Sequence, residues 1–286
     1  MMYAFIHMAK TGGSTIRHVL RCSFGAGHCD IKVPPQRRRN QPWILPRDIR
    51  IARRVYPTLK GICGHRVTCF TGLEEECGEI RYFTFLRDPY RRFVSHFNHH
   101  LRDANLPCTA DTLRDFATDP NRQNIMTRML CGQANGAAAI ENLHTHKVFV
   151  GLTQHFDESF CLFAQWLGSA ELQSHFLTLN QAPRPSDLPV PDPELSVLIH
   201  AAIEEDQRVY QHVVDHVFPR QRREYRGDLE NAVNELRKRN QCPAKLKEPG
   251  WAKIKRGILY KPLIHCGLGN QSLSGFSQSP DTTPNE

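Results

Sequence analysis

The chain has 286 residues, 40% of them hydrophobic and 23% charged, a balance that suits one sizeable globular core with an extension and excludes a disordered chain. Lys and Arg total 37 against 29 Asp and Glu, giving a formal charge of +8 and a pI near 9.0, which favours anionic partners. No helix-turn-helix, zinc-finger or RNP signature accompanies that charge, so nucleic acid is set aside.

Tyr3 to Met8 is a short apolar run with aromatic and β-branched members, and it reads as a buried strand. Ile16, Val19 and Leu20 then recur at helical spacing. Between them lies Lys10-Thr11-Gly12-Gly13-Ser14-Thr15, a glycine-bearing turn that opens a helix. Such a turn presents backbone N–H groups at the positive end of the helix, where phosphate or sulfate binds. Gly12 and Gly13 allow close approach of the backbone, Thr11, Ser14 and Thr15 offer hydroxyls, and Lys10 adds a mobile charge. The pattern G-x-x-x-x-G-K-[ST] places its lysine after the glycines; here the lysine comes first. An ordinary strand–turn–helix connection would use the same residues.

Residues 25 to 58 read as an irregular basic stretch, with Pro34-Pro35 and Arg37-Arg38-Arg39 in a loop and a short helix from near Asp48. A short strand from Leu59 then ends at Gly64 and sets His65 at its tip. A lone histidine is ordinarily structural, but imidazole titrates near neutrality and can take a hydroxyl proton. Glu74, Glu75 and Glu76 are the fallback base, or simply a solvated turn.

Ile80 to Leu86 is a second strong strand. Asp88 as N-cap and Pro89 at the first helical position start a helix behind it. Tyr90, Phe93, Val94, Phe97 and Leu101 form its apolar face, with Arg91, Ser95 and His99 on another. Arg87 stands at the strand's carboxyl end, where ligands collect in open α/β sheets, and Ser95 offers a hydroxyl two turns on. His96, His99 and His100 share a helix at metal-compatible spacing, yet no acidic or cysteine partner completes a set, so no metal is expected.

Two short helices follow on either side of Asp119-Pro120, the second carrying Arg128. Lys147 to Gly151 is a third strand, with Asp157 capping a helix to Leu167. His175 to Leu179 is a further strand candidate running into a proline-rich loop that holds Arg184. Asp192 starts a long amphipathic helix, expected to pack across the sheet and to end at Pro219. The expected division is a main domain over 1–218, a basic, partly helical extension over 219–266 and a disordered tail over 267–286. The ten cysteines are scattered without a CxxC pair, and reduced thiols are expected.

The loop Lys10–Thr15 and the pair Arg87 and Ser95 resemble the two nucleotide-binding motifs of sulfotransferases that use 3′-phosphoadenosine 5′-phosphosulfate (PAPS). The first is similar to the 5′-phosphosulfate loop and the second to the 3′-phosphate motif. Phe149 to Ser159 and Asn124 to Leu130 look like the branch that sulfates carbohydrates, which includes the heparan sulfate 2-O- and 6-O-sulfotransferases. The resemblance spans residue 3 to about 218, with Ala9 replacing the proline or glutamine often found before the lysine. It implies an α/β, P-loop-like three-layer sandwich with a mostly parallel sheet. It also implies sulfuryl transfer from PAPS to a carbohydrate or other hydroxyl-bearing acceptor, with adenosine 3′,5′-bisphosphate leaving and no metal required. The Gly-His pair ending at His65 resembles the motif of the catalytic histidine, Lys10 would stabilise the leaving oxygen, and a loop basic residue, here Arg184, would cover the nucleotide.

A P-loop-type kinase and a non-catalytic binder of anionic glycans are the alternatives. No apolar run reaches membrane length and Met1-Met2-Tyr3 leads straight into the first strand, so a cytoplasmic enzyme is expected, with a luminal domain lacking its anchor as the alternative.

Overall fold

The computed structural model describes residues 2–173, 175–176, 192–241 and 247–265. Strand β1 (Met2–Ile6) is buried at every position and leads through a tight loop into helix α1 (Gly13–Phe24). Then follow β2 (His28–Asp30), α2 (Pro46–Val55), β3 (Gly61–Gly64), the one-turn α3 (Glu74–Cys77), β4 (Ile80–Leu86) and α4 (Pro89–Ala104). Next come α5 (Ala110–Thr118), α6 (Ile125–Cys131), α7 (Gly136–Thr145), β5 (Phe149–Leu152) and α8 (Phe156–Leu167). The rest is helical: α9 (Pro193–His212), α10 (Phe218–Arg223), α11 (Leu229–Gln241), α12 (Gly250–Ile254) and α13 (Lys261–His265).

The five strands form one parallel sheet in the order β2-β3-β1-β4-β5, with helices on both faces. Phe5 is registered with Cys63 on one side and Phe83 on the other, so alternate residues of neighbouring strands share a face. One face carries Tyr3, Phe5 and Phe83: Tyr3 packs on Phe24 of α1 and Phe83 on Phe163 of α8. On the other face Tyr82 meets His146, just past α7. Coverage on both sides explains why these strands read as continuous apolar runs rather than alternating ones. At the β5 edge a side chain takes the place of a sixth strand. Gln221 accepts from the Val150 N–H at 3.1 Å and donates to the Val150 carbonyl at 2.9 Å. No helix among the described residues is long and apolar enough to cross a membrane.

Several expectations need correction. Tyr90, assigned above to the apolar face of its helix, is 43% exposed; Arg92 is buried on that helix instead, 3.7 Å from the buried carboxylate of Asp206 in α9. The long helix does not simply cross the sheet. Leu195, Ile199, Ala202 and Ile203 join Phe93, Phe97, Leu113 and Phe116 of α4 and α5 in a second core, and only the later Val209, Tyr210, Val213 and Val217 reach the main one. Nor does it stop at Pro219: the chain passes through a π-turn, Val213–Val217, into α10, where Pro219 occupies the first turn. A proline there forfeits no intrahelical bond that the turn had not already given up. His155, not Asp157, is the N-cap residue of α8, with Asp157 in the first turn. His175 and Phe176 are not in a strand; 177–179, Arg184 and the tail 267–286 lie outside the described residues. In the C-terminal extension Leu236, Tyr260 and Ile264 belong to the main core.

Candidate functional site

The chain leaves β1 towards β2 on one side and later sets β4 on the other, so the loops after β1 and β4 diverge at the carboxyl edge. In open parallel sheets such a divergence makes a ligand crevice. The loop after β1 is stitched down by hydroxyls. Thr84 Oγ1 donates to the Ile6 carbonyl at 2.8 Å and Thr11 Oγ1 to that of Met8 at 3.1 Å. Thr153 Oγ1 lies 2.8 Å from Leu86 O and 3.1 Å from Thr11 O, tying together the ends of β1, β4 and β5.

Two positions of this loop have left-handed backbone, Lys10 at φ 69° and Gly12 at φ 78°. Glycine accepts that conformation without strain; at Lys10 it re-aims the side chain out of the strand direction. Gly13 is needed for a different reason. A Cβ there would lie 2.1 Å from His7 Cδ2, so the His7 ring packs directly against the start of α1. Among the described residues no side chain caps that helix, and its first turn holds no acidic residue. Its positive end is a place where an anion is favoured. Thr11 and Thr15 are buried, and Ser14 is half-buried.

Arg87, at the end of β4, donates through Nη1 to the Lys10 carbonyl at 3.4 Å. Arg87 of the second motif thus touches the loop of the first. Among the described residues no carboxylate pairs with Lys10 or Arg87, although the protein contains many such ion pairs elsewhere. Burial, then the charges of Arg102 and Arg87, pull the Lys10 ammonium below the usual lysine range, with Asp103 opposing. Ser95 is half-buried on α4, in the same stripe as Arg91 and Arg102.

His65 follows β3, the strand paired with β1 on its other side. Its Nδ1–H donates to the His7 carbonyl at 2.7 Å, which fixes the tautomer and leaves Nε2 unprotonated. The ring also stacks on that of His7, with centroids 4.1 Å apart. His65 is exposed to solvent as a residue, although neighbouring protein crowds part of its ring. That partial burial lowers its pKa, the hydrogen bond to His7 raises it, and the charges of Arg17 and Arg66 lower it again, for a net downward shift. His7 itself is buried, and burial followed by the nearby His65 brings its pKa down to about 2, so it stays neutral.

The other residues singled out from sequence lie elsewhere. The Glu74–Glu76 run sits just before β4, whose amino end pairs with Met2, and so belongs to the opposite edge of the sheet; Glu76 pairs with Arg50 and Glu74 with His146. Arg37 pairs with Asp48, and Arg38 donates to the Val33 carbonyl at 3.3 Å. His96 and His100 pack on Phe116 while His99 pairs with Asp103 at 3.0 Å, so the three do not converge. Sequence reasoning missed His7, Arg17, Arg66 and Arg102. For His7 a signal existed: a polar residue just beyond an apolar strand, with a glycine six residues on.

The chain is similar to the crystal structure of a sulfotransferase from Alicyclobacillus acidocaldarius, with 14% identity and a TM-score of 0.42 over 75% of this chain and 96% of that one. No protein-family model matches the chain, and no curated protein matches it. So distant a likeness carries no weight for function, and the α/β assignment rests on the strand order and pairing themselves.

Proposed function

We propose that the chain is a PAPS-dependent sulfotransferase acting on a hydroxyl of a carbohydrate. The observation that carries this reading is the meeting of Arg87 with the Lys10 loop, neither cation paired with a carboxylate among the described residues, one strand away from an imidazole whose Nδ1 is held by the His7 carbonyl. In this reading the N–H groups opening α1, from Gly12 to Thr15, hold the 5′-phosphosulfate. Arg87 and Ser95 hold the 3′-phosphate, and Arg184 covers the nucleotide. His65 Nε2 takes the proton of the acceptor hydroxyl as its oxygen bonds to sulfur. The bond from sulfur to the 5′-phosphate oxygen breaks in line, and Lys10 neutralises the charge that grows on that oxygen. Adenosine 3′,5′-bisphosphate leaves.

The test is transfer of labelled sulfate from PAPS to a panel of carbohydrate and simpler alcohols, run in EDTA to separate it from a magnesium-dependent kinase. Labelled ester is the expected product, with Arg87→Ala weakening PAPS binding. No transfer to any acceptor, together with an unchanged PAPS dissociation constant in Arg87→Ala, overturns the proposal. Retention of sulfated glycans without transfer would instead indicate a binding protein.

A further inference from the structure

A second polar cluster lies beneath α1. His28 and Asp30 are alternate residues of β2, and Cys63 of β3 is registered with Asp30. All three turn to the α1 side of the sheet, and a ring nitrogen of His28, a carboxylate oxygen of Asp30 and Cys63 Sγ lie within 4.8 Å of one another. His28 is 4% and Cys63 0% exposed. A buried polar atom ordinarily has a partner, yet His28 Nε2 and Asp30 Oδ1 have no hydrogen bond among the described residues, although they approach each other to 3.5 Å.

The far sides of the same groups are firmly held. His28 Nδ1 is 2.9 Å from the Tyr3 hydroxyl. Asp30 Oδ2 accepts from Arg21 Nε at 2.7 Å, with Arg256 Nη1 at 3.8 Å on that side too. The unsatisfied atoms therefore face one shared point while other residues fix each ring and carboxylate from behind. Outer-shell partners orient metal ligands in this way.

We infer that His28, Asp30 and Cys63 bind one divalent ion of the zinc type. One nitrogen, one oxygen and one sulfur donor suit a borderline-soft ion of flexible geometry, and do not suit the oxygen cages of magnesium or calcium. His7 Nδ1, 3.9 Å from Cys63 Sγ, is a further donor for a fourth corner. Binding releases the Cys63 thiol proton to solvent and leaves the metal joined to the thiolate. The ion clamps β2, a strand of only three residues, to β3. The site does not depend on the transfer reading.

Because the site is closed, the full chain is refolded with Co²⁺ after chelator treatment, and the absorption is recorded. One equivalent is expected, with a thiolate-to-cobalt charge-transfer band that Zn²⁺ abolishes. Cys63→Ala should lose the band and Cys22→Ala keep it. Tyr3→Phe, which leaves all three ligands in place, should weaken binding about 10–100-fold. Absence of the band in folded wild-type protein overturns the inference, as does a band that survives in Cys63→Ala. If Cys63→Ala fails to fold, unchanged affinity in Tyr3→Phe is equally decisive against it.

Discussion

Helices α1 and α4 both begin at the carboxyl edge of the same sheet, behind neighbouring strands, yet their first turns are finished differently. At α4 the Asp88 side chain accepts from Arg91 N at 2.8 Å and Pro89 occupies the first helical position. At α1 there is no side-chain cap and no carboxylate in the first turn. One positive end is satisfied by the chain itself and the other is held open. An anion at the β4 side must then be gripped by side chains, Arg87 foremost, whereas at α1 the backbone can do the gripping. Two motifs that look alike as strand–turn–helix units thus bind, on this view, by different physics.

The strongest way to break the comparison is to remove the groups around the open end. Lys10→Ala is expected to lower kcat about 10²–10³-fold and His65→Ala about 10²–10⁴-fold, the latter with PAPS affinity retained. Full activity of either variant in the labelled-sulfate assay refutes its role. Ser14→Asp places a carboxylate in the first turn of α1. It should stabilise the helix by about 0.3–1 kcal/mol in denaturant unfolding while weakening PAPS binding about 2- to 30-fold. Improved stability with unaltered affinity would mean that the donor does not use this helix end.

On the α4 side the expected effects are on stability. His96 is packed against Phe116, and burial, followed by the charges of Arg92 and Arg122, lowers its pKa to about 4. Its folded pKa lies below the unfolded value, so protonation favours unfolding. This contribution is present above pH 6.5, is lost as pH falls through the window from 6.5 to about 4, and has a slope of at most about 1.4 kcal/mol per pH unit. His96→Gln should flatten that part of a stability–pH profile; an identical slope contradicts the assignment. Smallest of all, Asp88→Ala should cost about 1 kcal/mol of stability and leave the PAPS dissociation constant where it was. A loss of affinity matching that of Arg87→Ala would show that the capped end also serves the ligand.

How far the sequence reached depended on whether the cause was local. Ile80–Leu86 and the Asp88-Pro89 helix start were readable because apolar patterning and capping act within a few residues. β2 was not read from sequence, since three residues carry no period and His28–Asp30 is a strand only because β3 lies beside it. Tyr90 was placed inside by periodicity, but the buried position beside it went to Arg92, whose partner Asp206 is 114 residues away. The loop residues of the candidate site were visible as chemistry. That Arg87 would reach the Lys10 loop was implied only by the resemblance, because the contact depends on the strand order β3-β1-β4. His7 passed as part of the apolar run Tyr3 to Met8, when its carbonyl sets the tautomer of His65.

The amide of Gln221, laid along Val150, has a consequence for how molecules of this protein behave towards one another. A bare outer strand is a template on which a second chain can extend the sheet, and repeated extension ends in insoluble fibres. With the hydrogen-bonding groups of Val150 engaged by Gln221 and those of Leu152 by the Ser159 hydroxyl, the β5 rim offers newcomers little to grip.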